Sequence, residues 1–269
     1  MFLRAGGRYT SRHAVVLTSI AEEDAMHQTA HDSRRRALLG AALCATALAA
    51  LPRSVRAQTA SMKIGIIGTG RIGGALAQHW AKAGHALMIS SRHPEQLKPL
   101  AESLGSRVSV GTPEQAAAFG EVLLISVPYG ALPQVGRDYA AQMRGKVVLE
   151  TGNPFPNRDG EMAEAARAKG TGVASADYLP GVRLVRAFTC VPHTVVLADA
   201  HRSGERIGVP LAADDPAALK IAEQLVRDAG FDPVAVGGLV RARDFDVGSP
   251  VFGRAMTAAE LRQALGLMR

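Results

Sequence analysis

Cysteine is nearly absent from this chain: 269 residues hold two, Cys44 and Cys190. With no Cys-x-x-Cys spacing and eight scattered histidines, neither a disulfide framework nor a metal set is expected. Aromatic residues are also scarce, at 4% with a single tryptophan, and no Lys/Arg cluster is interleaved with them. That pattern argues against a nucleic-acid partner. Long apolar runs are missing too. The longest, from Ala37 to Leu51, falls short of the roughly 20 residues that a membrane-spanning helix needs, and Pro52 follows it. A permanent membrane anchor is therefore not expected.

Net charge is +7, but its distribution matters more than its size. Of 31 basic and 24 acidic residues, 8 and 4 lie before Gln58, which leaves 23 and 20 for the rest of the chain. Most of the surplus therefore sits in an N-terminal segment with its own logic. Ser33-Arg34-Arg35-Arg36 precedes the mild, Ala-rich apolar run, and Val55-Arg56-Ala57 offers small residues before Gln58. A positive segment, a short apolar stretch and a small-residue cleavage site describe a secretory signal. The paired arginines ahead of Leu38-Leu39 resemble a twin-arginine (Tat) signal, which exports folded proteins, although Ala37 stands where Phe is commoner. Residues 1–57 are thus expected to be an N-terminal extension and signal, with Met26 as a candidate true start and a periplasmic or exported product. The alternative is a basic tail on a cytoplasmic protein.

From Met62 the pattern changes. Met62 to Ile67 is a short β-branched run bounded by glycine, as in a buried strand. Gly68-Thr69-Gly70-Arg71-Ile72-Gly73 follows at once, and Gly74 to Ala81 carries a helical apolar stripe. A Gly-x-Gly-x-x-Gly between a strand and a helix is the arrangement that dinucleotide binding requires. Gly68 allows the tight turn, Gly70 lets the backbone approach a pyrophosphate, and Gly73 lets helix and strand pack closely. The second strand, Ala86 to Ser90, ends in Ser91-Arg92-His93. NAD enzymes place an acid about 20 residues beyond the first glycine to hold the ribose hydroxyls. None stands here. A hydroxyl and a planar guanidinium suit a 2′-phosphate instead, so NADP(H) is the expected cofactor.

Alternation continues. Helix is expected over Pro94 to Leu104, Pro113 to Phe119, Ala131 to Met143, Pro216 to Ala229 and Thr257 to Leu267. Strand is expected over Arg107 to Val110, Glu121 to Ser126, Lys146 to Glu150, Arg183 to Phe188, Arg206 to Pro210 and Phe231 to Val236. Leu239 to Pro250 reads as irregular. Such alternation implies an α/β Rossmann domain over 61–267, with a doubly wound, mostly parallel sheet and a small C-terminal α/β elaboration. Ligands then sit beyond the carboxyl ends of the strands, at Ser126-Val127-Pro128, Thr151 to Pro154 and Thr189-Cys190. Asn153 is included among the cofactor-binding candidates on this ground.

The order of these motifs resembles the NADPH-dependent deazaflavin (F-420) coenzyme reductase family and its predicted dinucleotide-binding relatives. The resemblance covers roughly residues 62–269 and is strongest over the first 70 of them. It implies Thr69, Gly70, Arg71 and Ile72 around the phosphates, Ser91 and Arg92 on the 2′-phosphate, and Val127 with Pro128 beside the nicotinamide. Arg186-Ala187-Phe188-Thr189 is similar to a Lys-Ala-Phe-Asn stretch of those relatives, with Thr in place of Asn. Phe245 to Arg254 looks like a tail they share. A homodimer is implied as well, with the C-terminal helix as candidate interface.

Hydride transfer to a flavin-like ring needs orientation and no obligatory protein acid or base. That suits a sequence in which no catalytic constellation stands out, and catalytic residues stay unassigned. His193 and Tyr129 are weak candidates. Each has a plainer alternative: His193 as a pocket-wall or helix-start residue, Tyr129 as packing. The expected function is NADPH-dependent hydride transfer to a small flavin- or deazaflavin-like acceptor. The alternatives are an imine or 3-hydroxy acid reductase, of the pyrroline-carboxylate reductase or 3-hydroxyacid dehydrogenase type, and a non-catalytic NADP(H)-binding sensor.

Overall fold

The computed structural model describes residues 60–267; the expected signal, Met26 and the cleavage site lie outside them. Three strands open the sheet: β1 (Lys63–Ile67), β2 (Ala86–Ser90) and β3 (Val108–Gly111). Helices α1 (Arg71–Ala83), α2 (Lys98–Leu104) and α3 (Pro113–Phe119) link them to β4 (Val122–Ile125). Next come α4 (Leu132–Asp138), α5 (Ala140–Met143), β5 (Val147–Glu150), three helices α6 (Pro156–Asp159), α7 (Glu161–Lys169) and α8 (Thr171–Tyr178), and β6 (Arg183–Arg186). The chain continues through α9 (His193–Ala198), β7 (Gly208–Ala213), α10 (Pro216–Asp228), β8 (Asp232–Gly237) and α11 (Ala258–Ala264).

The eight strands form one sheet in the order β3-β2-β1-β4-β5-β6-β7-β8. All pairings are parallel except β6 with β7. The first described strand, β1, lies inside the sheet; from it the chain winds outward one way to β3, then returns to place β4 on the other side of β1. That reversal creates the doubly wound order and leaves a crevice at the carboxyl ends of β1 and β4. The expected Rossmann architecture and its α/β elaboration, here β7-α10-β8, are both present.

Both faces of the sheet are covered, which explains why its strands read as continuous apolar runs. Ile64, Ile66, Leu124 and Leu149 face one way and join Leu76 and Trp80 of α1 and Leu225 of α10. Ile67, Leu123, Ile125 and Val148 face the other way and meet Leu132 of α4, Ala166 of α7 and Ala174 of α8. The buried Trp80 indole donates to Leu225 O at 2.8 Å, tying α1 to α10.

Several expectations need correction. The helix expected over Ala131 to Met143 breaks at Tyr139, whose φ of −117° and ψ of 16° are not helical. Pro94–Leu97 is a 3-10 turn ahead of α2, and Leu239–Asp244, read as irregular, is also 3-10. The three short helices between residues 156 and 178 were not anticipated; α7 and α8 are Ala-rich and weakly amphipathic, so periodicity gives little signal.

Asp215 caps α10 by accepting from Ala217 N at 2.8 Å and Ala218 N at 3.1 Å, and it also accepts from Arg183 Nε at 2.5 Å. The Arg183 hydrogen bond, with those amides, holds its carboxyl down to about 2. A depressed folded pKa contributes stability above the unfolded value near 3.8 and loses it as pH falls towards 2. The thermal midpoint of Asp215→Ala should therefore start lower than the native one at neutral pH, yet fall less between about pH 4 and pH 2.

Candidate active site

The glycine turn is fastened to the second strand. Gly68 N and Thr69 N both donate to Ser90 O, at 3.1 and 3.0 Å, and Thr69 Oγ1 donates to the same oxygen at 3.0 Å. This brings Ser91-Arg92 alongside the turn. Helix α1 begins at Arg71 with Gly70 as N-cap, no side-chain cap and no acid in its first turn. Its opening amides thus aim into the crevice without a protein carboxylate or hydroxyl to satisfy them, as an anion site needs. The two inner glycines divide the labour. A Cβ on Gly70 would meet nothing within 4 Å and would project into open space that a ligand would otherwise fill. A Cβ on Gly73 would collide with the Gly68 carbonyl. Gly70→Ala should therefore fold within about 1 kcal/mol of the native protein while binding NADPH roughly tenfold more weakly. Gly73→Ala should destabilise the fold itself, and denaturation with cofactor titration separates the two.

The turn forms one end of a cleft of about 930 Å³, a size typical of small-molecule sites. Gly68, Thr69, Gly70, Ser91, Arg92, Val127 and Pro128 all line it. Arg92 is exposed at its edge, and Ser91 Oγ accepts from His93 N at 3.0 Å, which leaves the hydroxyl hydrogen free to donate outward. Arg71, Ile72 and Gly73 form the first turn of α1 behind the lining residues. The opposite wall comes from α4, α6 and the start of α7, including Gln134, Arg158, Asp159 and Met162. Burial works to raise the Asp159 carboxyl, but hydrogen bonds from Arg158, Phe155 N and Gly130 N hold it below its ordinary value.

The two weak catalytic candidates lie elsewhere. Tyr129 is 0% exposed, and its hydroxyl faces Thr171 O at 3.2 Å and Ser175 Oγ at 3.0 Å. Burial pushes its phenol far above the usual range, so it packs the core and neither stacks on a ligand nor gives up a proton. His193 is the first residue of α9, in the helix-start position weighed for it. Cys190 is buried and its thiol is pushed up to about 12 by that burial, which makes it a poor nucleophile.

Behind the cleft lies a buried charged cluster that the sequence did not reveal. Arg186 and Glu150, both 0% exposed, form an ion pair through Nη1 and Oε2, and Arg186 Nη2 reaches Asp246 Oδ1 at 3.2 Å. Arg186 Nη1 also donates to Gly152 O at 2.8 Å, and Ser175 Oγ donates to Glu150 Oε2 at 3.0 Å. Burial raises the Glu150 carboxyl against the opposing pull of Arg186. For Arg186, burial would lower the guanidinium, but Glu150 and Asp246 override it upward. The cluster clamps the backbone after β5 to the end of β6. There Asn153 Nδ2 donates to Thr189 O at 2.7 Å, and Phe188 takes a left-handed φ of 57°. No signal in one sequence could pair residues 36 and 60 apart, although a glutamate and an arginine at buried strand positions mark the anomaly.

Residues 63–154 match the family model described as NADP oxidoreductase, coenzyme F420-dependent. Residues 63–154 are thus similar to that family over the first half of the sheet. Metalloreductase STEAP3 of Rattus norvegicus is 27% identical over 190 residues, which is 68% of this chain and 36% of that protein. The chain thus spans about a third of that relative's length. Among solved structures, a hypothetical protein from Sinorhizobium meliloti aligns with a TM-score of 0.64 and 23% identity, over 74% of this chain and 97% of its own. A protein assigned as an F420-dependent NADP reductase, from Arthrobacter sp. FB24, aligns at 0.59 and 20%, over 73% and 100%. An imine reductase variant from Myxococcus stipitatus, solved with NAD+, aligns at 0.51 and 18%, over 77% and 62%. These three share the fold of this chain. The family match falls on the segment that holds the glycine turn and Ser91-Arg92, which fit NADP(H).

Proposed function

We propose that this protein is an NADPH-dependent oxidoreductase passing hydride to a flavin- or deazaflavin-like acceptor. The observation that carries this reading is the composition of the cleft. Its lining has an uncapped helix start and the Ser91-Arg92 edge for a phosphorylated dinucleotide, yet no histidine, lysine or cysteine, and burial pushes its one phenol, Tyr139, above the ordinary range. Its two carboxylates are already engaged, Asp159 as described and Asp138 with Gln134 Nε2 at 2.5 Å. When bound, NADPH supplies the hydride. The protein's part is then to bind, orient and exclude water. Amides of residues 71–73 hold the pyrophosphate, Ser91 and Arg92 hold the 2′-phosphate, and Val127 and Pro128 wall the nicotinamide end. An acceptor ring that takes hydride without a protein acid suits such a site, whereas imines and ketones need a proton placed for them.

The matching family's description supports a nicotinamide nucleotide as the electron source, and the metalloreductase's name supports a reductase reading. The fold alignment spans nearly the full length of the Sinorhizobium and Arthrobacter proteins but 62% of the imine reductase. Mixing the full chain with NADPH and a flavin, a deazaflavin, a ferric chelate, a cyclic imine or a keto acid tests the proposal. Loss of reduced-nicotinamide absorbance with the flavin, deazaflavin or chelate is expected. Turnover confined to the imine or keto acid would establish the carbonyl-type alternative, and tight binding without any turnover would establish a sensor. We also propose that the enzyme acts beyond the cytoplasmic membrane, on the strength of Arg34-Arg35 and the segment that follows. A mature product recovered from the periplasm and beginning at Gln58 is the expected result.

A further inference from the structure

Among the described residues, two cations line the cleft: Arg92 at the phosphate corner and Arg158 of α6. Arg158 has no part in holding the dinucleotide as read above. Its Nη2 donates to Asn153 O at 2.7 Å, at the carboxyl end of β5, and its neighbour Asp159 accepts from Gly130 N at 3.1 Å, just past the turn that follows β4. The guanidinium is thereby fixed between two strand ends, on the side of the cleft where Val127 and Pro128 stand. Asp159 grips it as well, taking Nε on Oδ1 at 3.0 Å and Nη2 on Oδ2 at 2.7 Å. The Phe155 ring stacks against it, with Cζ 5.3 Å from the centroid.

The pair is lopsided. The Asp159 side chain is 3% exposed and the Arg158 side chain 43%. The carboxylate is therefore tucked behind, where Gly130 N and Phe155 N also satisfy it, and the positive member faces the cleft. Nη1 carries two N–H groups, yet the hydrogen bonds of Arg158 run from Nε and Nη2. Across the same wall, Gln134 and Asp138 are engaged with each other and with Arg137. Arg158 thus offers positive charge and unspent donors on a side chain that is already held in place, so little ordering is left to do when a ligand arrives.

We propose that Arg158 is the counter-charge for the acceptor: its Nη1 meets the N1–C2=O edge of a flavin or deazaflavin ring and stabilises the negative charge that reduction puts there. The assignment rests on the hydride-transfer reading above and narrows the acceptor to a ring with such an edge. In the reaction the C4–H bond of the dihydronicotinamide breaks and an N–H bond forms at N5 of the flavin, or a C–H bond at C5 of a deazaflavin. The electron pair displaced from the ring double bond settles on N1 and the C2 oxygen, and the nicotinamide is left as a pyridinium. No proton is consumed, in keeping with a cleft that offers no acid. Charge placed near N1 is one of the ways a protein tunes such a ring, and fixed donors aimed at developing charge are worth most where they need not reorganise. Asp159 is a positioning residue, because it orients the guanidinium without touching the acceptor.

Riboflavin, which has the ring edge but no phosphate, is the probe. With NADPH as donor, Arg158→Met should lower kcat for riboflavin about tenfold, the low end for a hydrogen bond to a charged group because the site is partly open to water. Its Kd for NADPH should match the native value, which also reports an intact fold. Arg158→Lys should regain part of the rate, since the charge returns without the planar donors. Sulfite gives a readout without turnover: it adds to flavin N5 and leaves the same negative charge on N1. The native protein with NADP+ should tighten the riboflavin–sulfite adduct about tenfold over free riboflavin, and Arg158→Met should remove that gain. Native kcat and sulfite affinity in Arg158→Met, or a loss of NADPH affinity in place of kcat, would overturn the assignment. So would a loss seen with FMN and not with riboflavin, which would put the guanidinium on a phosphate. Failure of the native protein to oxidise NADPH with any flavin or deazaflavin would instead strike the hydride-transfer reading beneath it.

Discussion

Replacing Arg186 with methionine should lower the unfolding free energy by about 3–5 kcal/mol, the cost of removing one member of a buried ion pair. Methionine fills much the same space, so the loss does not come from a cavity. It comes from Glu150 and Asp246, which face each other's charge without a cation and with little solvent. The Glu150 carboxyl, which burial raises against the pull of Arg186, then holds its proton in the folded state at pH values where the unfolded chain has released it. A raised folded pKa favours the fold at low pH and penalises it as pH rises, so the variant's deficit should shrink on acidification. Urea unfolding at two pH values measures this directly. The companion Glu150→Gln/Arg186→Met should be more stable than the sum of the single losses predicts, since the two side chains are in contact. A deficit under about 1 kcal/mol, independent of pH, would mean that the three side chains interact as solvated surface charges do.

That cluster also marks where the sequence stops being informative. The glycine turn, Ser91-Arg92 and helix α3 are legible because their causes are local: a strand-turn-helix, a missing acid at one offset, and a Thr112 capping box ahead of Pro113. The mostly parallel, doubly wound character of the sheet follows from the alternation of strands and helices together with the handedness of their crossovers. By contrast, the break at Tyr139 and the helices from Pro156 to Tyr178 depend on neighbours far along the chain. Gly136 shows how: a Cβ there would strike the Tyr178 carbonyl, so α4 is shaped by the end of α8. Tyr129 misleads for the same reason. It follows the Val-Pro turn that lines the cleft, but its ring points inward to α8, and only the packed structure reveals that. Asn153 lay within reach of sequence reasoning because its position at a strand end marks it. Its hydrogen bond to Thr189 O did not, since nothing local pairs residues 36 apart.

Replacing Arg92 with alanine should weaken NADPH by about 1.5–3 kcal/mol, roughly 10- to 150-fold in Kd, while NADH binding changes little. The side chain is exposed at the mouth of the cleft, next to Ser91 and across the turn from the start of α1. Its expected partner is the one group that distinguishes the two nucleotides, so its removal acts on their ratio. The pyrophosphate is held by backbone amides common to both and should not notice. Arg92→Lys should fall between, because an ammonium supplies the charge without the paired, planar donors that match a phosphate. Solvent access brings a further consequence: the Arg92 contribution should decline as ionic strength rises, whereas the amide contribution, nearer the helix axis, should decline less. Titration of both nucleotides at two salt concentrations gives all four quantities. Equal losses for NADPH and NADH in Arg92→Ala would move the guanidinium from the 2′-phosphate to the shared part of the dinucleotide and leave the cofactor preference to Ser91 alone.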